Sequence, residues 1–378
     1  MIKNWNSKEF KIGVLGAGQL GRMLIQEAVN LNIHLHMMDS DKNAPCASIS
    51  SSFTCGSITD YQSVLDFGKD KDLITVEIEN VNIEALEALE AMGVQVYPQP
   101  KVLKIIKDKG TQKEFYKNHN IPSSSFELFE NKEALMNSNT TFPAMQKMRT
   151  GGYDGKGVQV LKNIDDSFEG PHLIEELIDF SKELSIIVSR NPSGEISTFP
   201  SVECEFNPEA NLVEFLFSPA DISIEIENKA KQIATDVIQK LDMVGLLAVE
   251  LFLTKEGNLL VNEIAPRPHN SGHHTIECCQ TSQFAQHLRA ILDLPLGSTE
   301  LIQPGAMINL LGAKGHTGVA KYEGLSELLN HSNVFPHLYG KEQTKPFRKM
   351  GHITITGKTL KDVKIRAQQI KDIVNIVA

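Results

Sequence analysis

At 378 residues the chain is long enough for two or three domains with ample buried core, and 41% hydrophobic with 22% charged side chains is an ordinary globular composition. A formal net charge of −10 argues against a general nucleic-acid binder, whose surface would be basic. Five cysteines without CxxC spacing give neither a zinc ribbon nor a disulfide framework. The polar start MIKNWNSKEFKIG lacks the apolar run of a signal peptide, and no apolar segment reaches the ~18–20 residues of a membrane span. A reducing cytoplasmic location, with neither membrane nor nucleic acid as partner, is therefore expected.

In chain order, Lys11 to Leu15 reads as a strand that runs into Gly16-Ala17-Gly18-Gln19-Leu20-Gly21, with an amphipathic helix to about Leu31. A second strand, Ile33 to Met38, ends at Asp39. This is the βαβ pattern in which glycines permit a tight turn and a phosphate can approach a helix N-terminus. By itself it favours a nicotinamide or flavin enzyme, with Asp39 placed for a ribose, although many doubly wound domains reuse the turn. A strand from Leu73 to Ile78 carries Glu77, with Glu79 just beyond. Ligands collect at the carboxyl ends of such strands, so Glu77 faces the glycine crevice, or else the two glutamates form the solvated side of an edge strand. A helix from Ile83 to Met92, a strand from Val94 to Tyr97 and then Pro98 and Pro100 close a domain over residues 1–100.

Lys101 to Asn118 is helical in pattern and dense in lysine, which by itself reads as a solvated face. After a turn at Pro122, a strand from Pro143 to Met148 carries Lys147 into Gly151-Gly152-Tyr153-Asp154-Gly155-Lys156-Gly157, and a strand from Val158 to Leu161 follows. No helix follows the lysine, so this is not a P-loop. Its glycines and lysines suit a flap whose amides fold over phosphates better than a merely flexible tip. Strands from Leu173 to Ile178 and Ile186 to Ser189 flank Glu183, and Lys229 to Leu241 has helical periodicity.

The stretch LLVNEIAPRPHNSGHH, Leu259 to His274, begins as a strand and matches an upstream strand, Leu246 to Thr254. With a turn whose two central residues are Glu256 and Gly257, Lys255 faces Asn258 and Glu250 faces Glu263. Opposite residues of an antiparallel pair share a face with Cβ atoms roughly 4.5–5.5 Å apart. Two ionised carboxylates so placed repel unless a cation lies between them, and their oxygens suit phosphate-bound Mg²⁺. The prolines then end regular pairing, leaving Arg267, His269, Asn270, His273 and His274 in a loop; zinc on those histidines is the less favoured reading. Ser282 to Leu292 is a further helix, and beyond Pro295 a smaller section holds strands from Met307 to Leu311 and Ile353 to Thr356. Lys341, Arg348 and Lys349 form a basic cluster there that suits an anionic ligand such as a phosphate monoester, or is a surface accident.

GAGQLGRM, TGGYDGKG, a Glu with a downstream Asn-Glu pair and APRPHNSGH, in that order, resemble the ATP-grasp ligases, and within them the members that carboxylate 5-aminoimidazole ribonucleotide in purine biosynthesis. The resemblance spans about Ile12 to Ile355. It implies an α/β protein with an N-terminal doubly wound parallel sheet, an ATP-grasp fold and a small C-terminal subdomain. The expected division is 1–100, 101–190 and 191–378, the last with a terminal part from about residue 300. It further implies phosphate contacts from Lys109, Lys147, Gly152, Tyr153, Asp154, Gly155, Lys156 and Gly157. Adenine would be read along Glu175, Glu176, Leu177 and Ile178, and the ribose by Glu183. Mg²⁺ would be held by Glu250 and Glu263 with help from Asn262.

In the reaction so implied, bicarbonate attacks the γ-phosphate of ATP, and the 5-amino group of the ribonucleotide takes up the carbon of the resulting carboxyphosphate. Arg267 and His269, with Tyr153 and Asp154 brought in by the flap, would handle carboxyphosphate and protons. Gln19, Leu20, Glu77 and Asn270 would hold the nucleotide, and Lys341, Arg348 and Lys349 its 5′-phosphate. Asp39 then has no special role. A homodimer is implied as well. Lys109 stands where relatives often carry Arg, which keeps the charge but not a bidentate fork. Glu203-Cys204-Glu205-Phe206 replaces a segment that often holds His, so a nucleotide contact from Phe206 is stacking at most. The competing readings are a formate-dependent glycinamide ribonucleotide transformylase, a nicotinamide dehydrogenase built on Gly16, Gly18 and Gly21, and a catalytically dead binding protein.

Overall fold

The computed structural model describes residues 4–152, 157–207 and 212–378. Its N-terminal part is a parallel sheet of Ile12–Leu15, Leu35–Asp39, Ser52–Cys55, Leu73–Val76 and Gln95–Val96, in the spatial order third, second, first, fourth, fifth. The first and fourth of these strands are buried along their whole length, as expected where helices cover both faces of a parallel sheet. Chain direction across the sheet reverses between those two strands, which opens a crevice at their carboxyl ends. Ser52–Cys55 escapes the sequence reading because it is a largely exposed edge strand with no apolar alternation.

The lysine-rich run is two helices, Pro100–Lys107 and Lys109–Asn118. Asp108 breaks it with extended backbone (φ −111°, ψ 112°) and accepts hydrogen bonds from the amides of Gly110 and Thr111. The same carboxylate holds Arg149 at 2.8 Å. The break makes Lys109 the first residue of a helix and turns Lys113, one turn later, into the interior, where it is 2% exposed.

An antiparallel sheet of Phe126–Phe129, His172–Glu175, Ala144–Met148 and Val158–Leu161, in that spatial order, forms a lid. It ends at Glu175. The next strand, Phe180–Arg190, which a division at residue 190 places with the lid, pairs instead along Gly245–Thr254 in a nine-stranded antiparallel sheet. Gly305–Leu311, Lys349–Thr356 and Val334–Leu338 extend that same sheet, so the terminal section adds strands to it and shares an apolar cluster with Phe215 and Phe217 under helix Leu360–Ile370.

Helix Gln283–Ile291 docks the N-terminal part on the large sheet. Its Phe284, Leu288 and Ile291 are at most 1% exposed and share a cluster with Leu20, Leu24 and Met37. Burial of such side chains stabilises by about 1.5–3 kcal/mol each. Thr75 Oγ1 lies 2.9 Å from His287 Nε2 in the same seam. No helix among the described residues is long and apolar enough to cross a membrane.

Candidate active site

Glu250 and Glu263 are cross-strand partners, but by a different count from the one the sequence suggests. The hairpin loop has three residues, Lys255 to Gly257: the Thr254 amide donates to the Asn258 carbonyl, and Gly257 takes φ +86°. That is the three-residue hairpin with a left-handed closing residue. Pairing then runs one residue out of the expected register as far as Leu251 and Val261, where a bulge at Asn262 restores it. The bulge re-aims the side chains around it. Asn262 Oδ1 accepts from Lys147 Nζ at 2.9 Å, while Glu263 Oε1 takes the ammonium of Lys109.

Ser185 is paired with Glu250 across the other edge of the same strand, and Glu183 lies two residues before Ser185. Glu183, Ser185, Glu250 and Glu263 therefore share one face of the sheet. Burial, followed by the charges of Glu263 and Glu183, pushes the Glu250 carboxyl up to about 7 against the pull of Lys109 and Lys147. Such a surplus of buried negative charge is what a divalent cation relieves. Among the described residues no group of three or more His, Cys, Asp or Glu is arranged to hold a metal alone. Two carboxylates that leave the remaining positions to phosphate and water fit Mg²⁺, which is seldom caged by protein alone.

Burial also pushes Glu183 up to about 7. A folded pKa above the unfolded carboxylate value means that the folded protein holds the extra proton between the two. Stability is then lost as pH rises from about 4.5 to about 7 and stays level above that. Glu183→Gln removes this cost. The ligand-free variant is expected to be about 1–2 kcal/mol more stable than the parent at pH 8, with the gain gone near pH 4, and to bind ATP more weakly. Denaturant titration at the two pH values checks it.

Behind Lys147 lies a buried ion group. Glu175 receives Lys147 at 3.0 Å and Lys113 at 3.2 Å, and Lys113 also donates to Ser124 Oγ at 2.8 Å. Burial raises the Glu175 pKa, but the two lysines outweigh it and hold the carboxyl below its usual range. The Glu175 side chain thus faces lysines, while residues 176–179 leave the sheet as the link into Phe180–Arg190. In that link Glu176 takes a hydrogen bond from Ser125, Leu177 is 42% exposed and Ile178 is half-buried. Lys113 was missed because a solvated lysine face and an inward lysine look alike in a helical run.

The glycine turn holds a carboxylate of its own chain. Gly16 has φ +98°, and a Cβ on Gly16 or Gly18 would sit 2.7 Å from a Glu77 oxygen. Glu77 Oε1 accepts from the Leu20 amide at 3.0 Å, where a dinucleotide would place its pyrophosphate. The third glycine, Gly21, packs against Met37 and Cys46. Asp39 accepts from the Ala17 amide at 3.0 Å and so braces the turn. These contacts remove the structural basis of the dinucleotide reading. Burial raises the Glu77 pKa, opposed by Arg267, by the Leu20 and Gly21 amides and by Lys341. The structure thus brings Gln19, the first residue of the helix, together with Leu20, Glu77 and Lys341.

Lys341 Nζ donates to the Lys349 carbonyl at 2.7 Å and stands over the Tyr339 ring, and the Lys349 cation acts on His273. Arg348 turns to the Gln343 carbonyl and towards Tyr322. Asn270 is paired through both ends of its amide with Asn309, at 2.9 and 3.0 Å.

Arg267 carries the longest-range contact of the loop. Its guanidinium forks onto both Glu79 oxygens, through Nε to one and through Nη2 at 3.2 Å to the other. Burial pushes the Glu79 carboxyl up, yet Arg267 outweighs it and holds the group at about 2. His269 Nε2 lies 3.7 Å from Glu250 Oε1. His273 and His274 turn elsewhere: His273 to Gln283 and the Phe284 and His352 rings, His274 to the Ser271 carbonyl. Tyr153, Asp154, Gly155 and Lys156 lie outside the described residues. Gly152 and Gly157 flank them, and Gly157 closes onto the Met148 amide at 2.8 Å.

Family models match end to end: a ribonucleotide synthetase preATP-grasp domain over residues 10–107, an ATP-grasp domain over 114–284 and a phosphoribosylaminoimidazole carboxylase C-terminal domain over 305–366. The N5-carboxyaminoimidazole ribonucleotide synthase of Bacillus subtilis is 38% identical over 354 residues, covering 91% of this chain and 90% of that protein. The chain belongs to the N5-carboxyaminoimidazole ribonucleotide synthase family. A solved N5-carboxyaminoimidazole synthase from Aspergillus clavatus, in complex with ADP and 5-aminoimidazole ribonucleotide, superposes with a TM-score of 0.88 at 33% identity, covering 98% of this chain and 99% of that one. The chloroplastic phosphoribosylaminoimidazole carboxylase of Vigna aconitifolia is 37% identical over 370 residues, but the chain spans only 66% of its length.

Membership in the synthase family makes the chain an ATP-dependent ligase and sets aside the transformylase and dehydrogenase readings. For the synthase family the glycine turn is part of a preATP-grasp domain, in agreement with a crevice filled by Glu77. Of the two departures noted in the sequence, Lys109 sits on Glu263, so its charge reaches the carboxylate face without a fork. Phe206 is 37% exposed at the rim of the same sheet.

Proposed function

We propose that the chain uses ATP and bicarbonate to carboxylate the 5-amino group of 5-aminoimidazole ribonucleotide, giving the N5-carboxyamino product of purine biosynthesis through carboxyphosphate. The observation that carries this reading is the carboxylate face of the large sheet, met by Lys109 and Lys147 and followed in the chain by Arg267, which is fixed to Glu79 of the N-terminal part. Phosphoryl transfer demands positioning and charge neutralisation more than covalent help, and this arrangement offers both. Glu250 and Glu263, with Asn262, would hold Mg²⁺, which when bound would supply neutralisation of phosphate charge. Lys109, Lys147 and the flap from Gly152 to Gly157 hold the phosphates, the link from Glu175 to Ile178 takes the adenine, and Glu183 takes the ribose.

Bicarbonate then attacks the γ-phosphorus, and ADP leaves. Arg267 and His269 steady the carboxyphosphate anion. The amine then bonds to its carbon, the bond from that carbon to the oxygen bridging to phosphorus breaks, and inorganic phosphate leaves, with the amine proton passing to solvent or phosphate. Gln19, Leu20, Glu77, Asn270, Lys341, Arg348 and Lys349 hold the ribonucleotide, and closure over both substrates keeps water from draining the intermediate. A homodimer is the assembly that goes with this reading, and sedimentation of the purified chain tests it. Labelled bicarbonate supplies the main test. ADP release is expected to require the aminoimidazole ribonucleotide and bicarbonate, with label in the product and formate inert. Phosphate release driven by formate and glycinamide ribonucleotide would overturn the assignment.

A further inference from the structure

His269 Nδ1 is anchored by Ser271. The Ser271 amide, 3.4 Å away, donates to Nδ1, and the Ser271 hydroxyl lies 2.9 Å from the same atom. That hydroxyl is in turn 2.7 Å from Ser185 Oγ. Ser185 and Ser271 are 1% and 3% exposed, so water does not compete for these contacts. An amide N–H can only donate, and the nitrogen it meets must offer a lone pair. A neutral imidazole carries a single N–H, which then belongs to Nε2. The order of the hydroxyl protons follows: Ser271 gives its proton to Nδ1 and accepts the one from Ser185.

Nε2 is the atom on the Glu250 side of the cleft. Ser185 belongs to the same face, as the cross-strand partner of Glu250. The tautomer decides what the ring offers there. An Nε2–H donates to an oxyanion, whereas the other tautomer turns a lone pair towards it and repels it.

We propose that Ser271, backed by Ser185, is a positioning pair that holds His269 as the Nε2–H tautomer, with that N–H directed into the cleft where carboxyphosphate forms. The proposal rests on the role given to His269 above. Ser271 touches no reacting atom in this scheme and acts only through the ring.

Ring nitrogen signals of the full-length protein labelled with ¹⁵N-histidine, at a pH where the ring is neutral, read the tautomer directly. His269 is assigned by the signals that His269→Asn removes. The expected result is a protonated Nε2 and a bare Nδ1, with the Nδ1 signal shifting in Ser271→Ala as it loses the hydroxyl hydrogen bond and keeps only the amide. A protonated Nδ1 in the parent, or no shift in the variant, overturns the proposal. Carboxylation by Ser271→Ala should fall about 10- to 100-fold, the usual cost of losing the partner that orients a functional histidine, with KM for ATP little changed. Added to His269→Asn, the serine change should cost nothing more; a further loss means that Ser271 acts by another route. Ser185→Ala, one hydrogen bond further back, should shift the same signals less, and it keeps the test open should Ser271→Ala fold poorly. Full carboxylation by His269→Asn alone would remove the catalytic role given to His269, while the nitrogen signals still decide the tautomer.

Discussion

Glu263→Gln is expected to lower ATP turnover by about 10³-fold, the equivalent of roughly 4 kcal/mol of lost charge stabilisation, while binding of the ribonucleotide persists. The substitution keeps the shape of the side chain and its place opposite Glu250, and removes one negative charge. Two consequences oppose each other. Lys109 loses its anionic partner and turns more fully to the phosphates, which favours nucleotide binding. On the proposed metal role, Glu250 would be left as the single carboxylate for Mg²⁺, which would weaken the hold on the ion. The second effect is expected to dominate the rate, because Lys109 offers one positive charge where a divalent cation would offer two. In the proposed scheme the ribonucleotide binds around Glu77 and Lys341 rather than at Glu263, and should not register the change. Coupled ADP release and calorimetric titration of the ribonucleotide separate the two readouts. Glu256→Gln, on the exposed tip of the same hairpin, is the control and should turn over normally. Near-normal turnover by Glu263→Gln would remove the metal role assigned to it.

The pairing of Glu250 with Glu263 was legible in the sequence through two errors that cancel. The hairpin loop is one residue longer than a two-residue turn, and the bulge at Asn262 puts the register back. Gly257 alone does not distinguish the two loops, since both need positive φ near that position. The N-terminal glycines were legible as a turn but not as to what fills it. A dinucleotide phosphate and a Glu77 carboxylate make the same demand on the backbone, which is an anion beside a helix N-terminus with no Cβ in the way. Lys113 shows the limit of local pattern. Its neighbours Lys107 and Lys109 read alike in sequence, and only the break at Asp108 decides which of them turn inward. Least legible was Glu79, whose partner Arg267 is 188 residues away. Nothing local marks one of two nearby glutamates as the anchor of a distant guanidinium.

That anchor makes Arg267→Ala the second large effect: carboxylation should fall about 10²- to 10³-fold, as for the loss of a donor aimed at a developing oxyanion, with nucleotide binding retained. The variant loses more than a cation. Arg267 is the main group that offsets the burial raising the Glu79 pKa, so its removal leaves a half-buried carboxylate without its fork. The two effects separate in different experiments. Glu79→Gln keeps the guanidinium but loosens its aim, and should cost about tenfold in rate, since a positioning loss is smaller than the loss of the charge itself. Arg267→Lys restores charge without two-point geometry and should fall between the two. Residual turnover in Arg267→Ala should also be uncoupled, with more ADP formed than labelled product, because carboxyphosphate that is not held hydrolyses. Thermal unfolding gives the structural half of the argument. Each single variant breaks the same link between the N-terminal part and the loop, so the double variant should be no less stable than Arg267→Ala. If turnover by Arg267→Ala stayed fully coupled and near the parent rate, Arg267 would be only a strut between the two parts of the chain, and the anion would have to be held elsewhere.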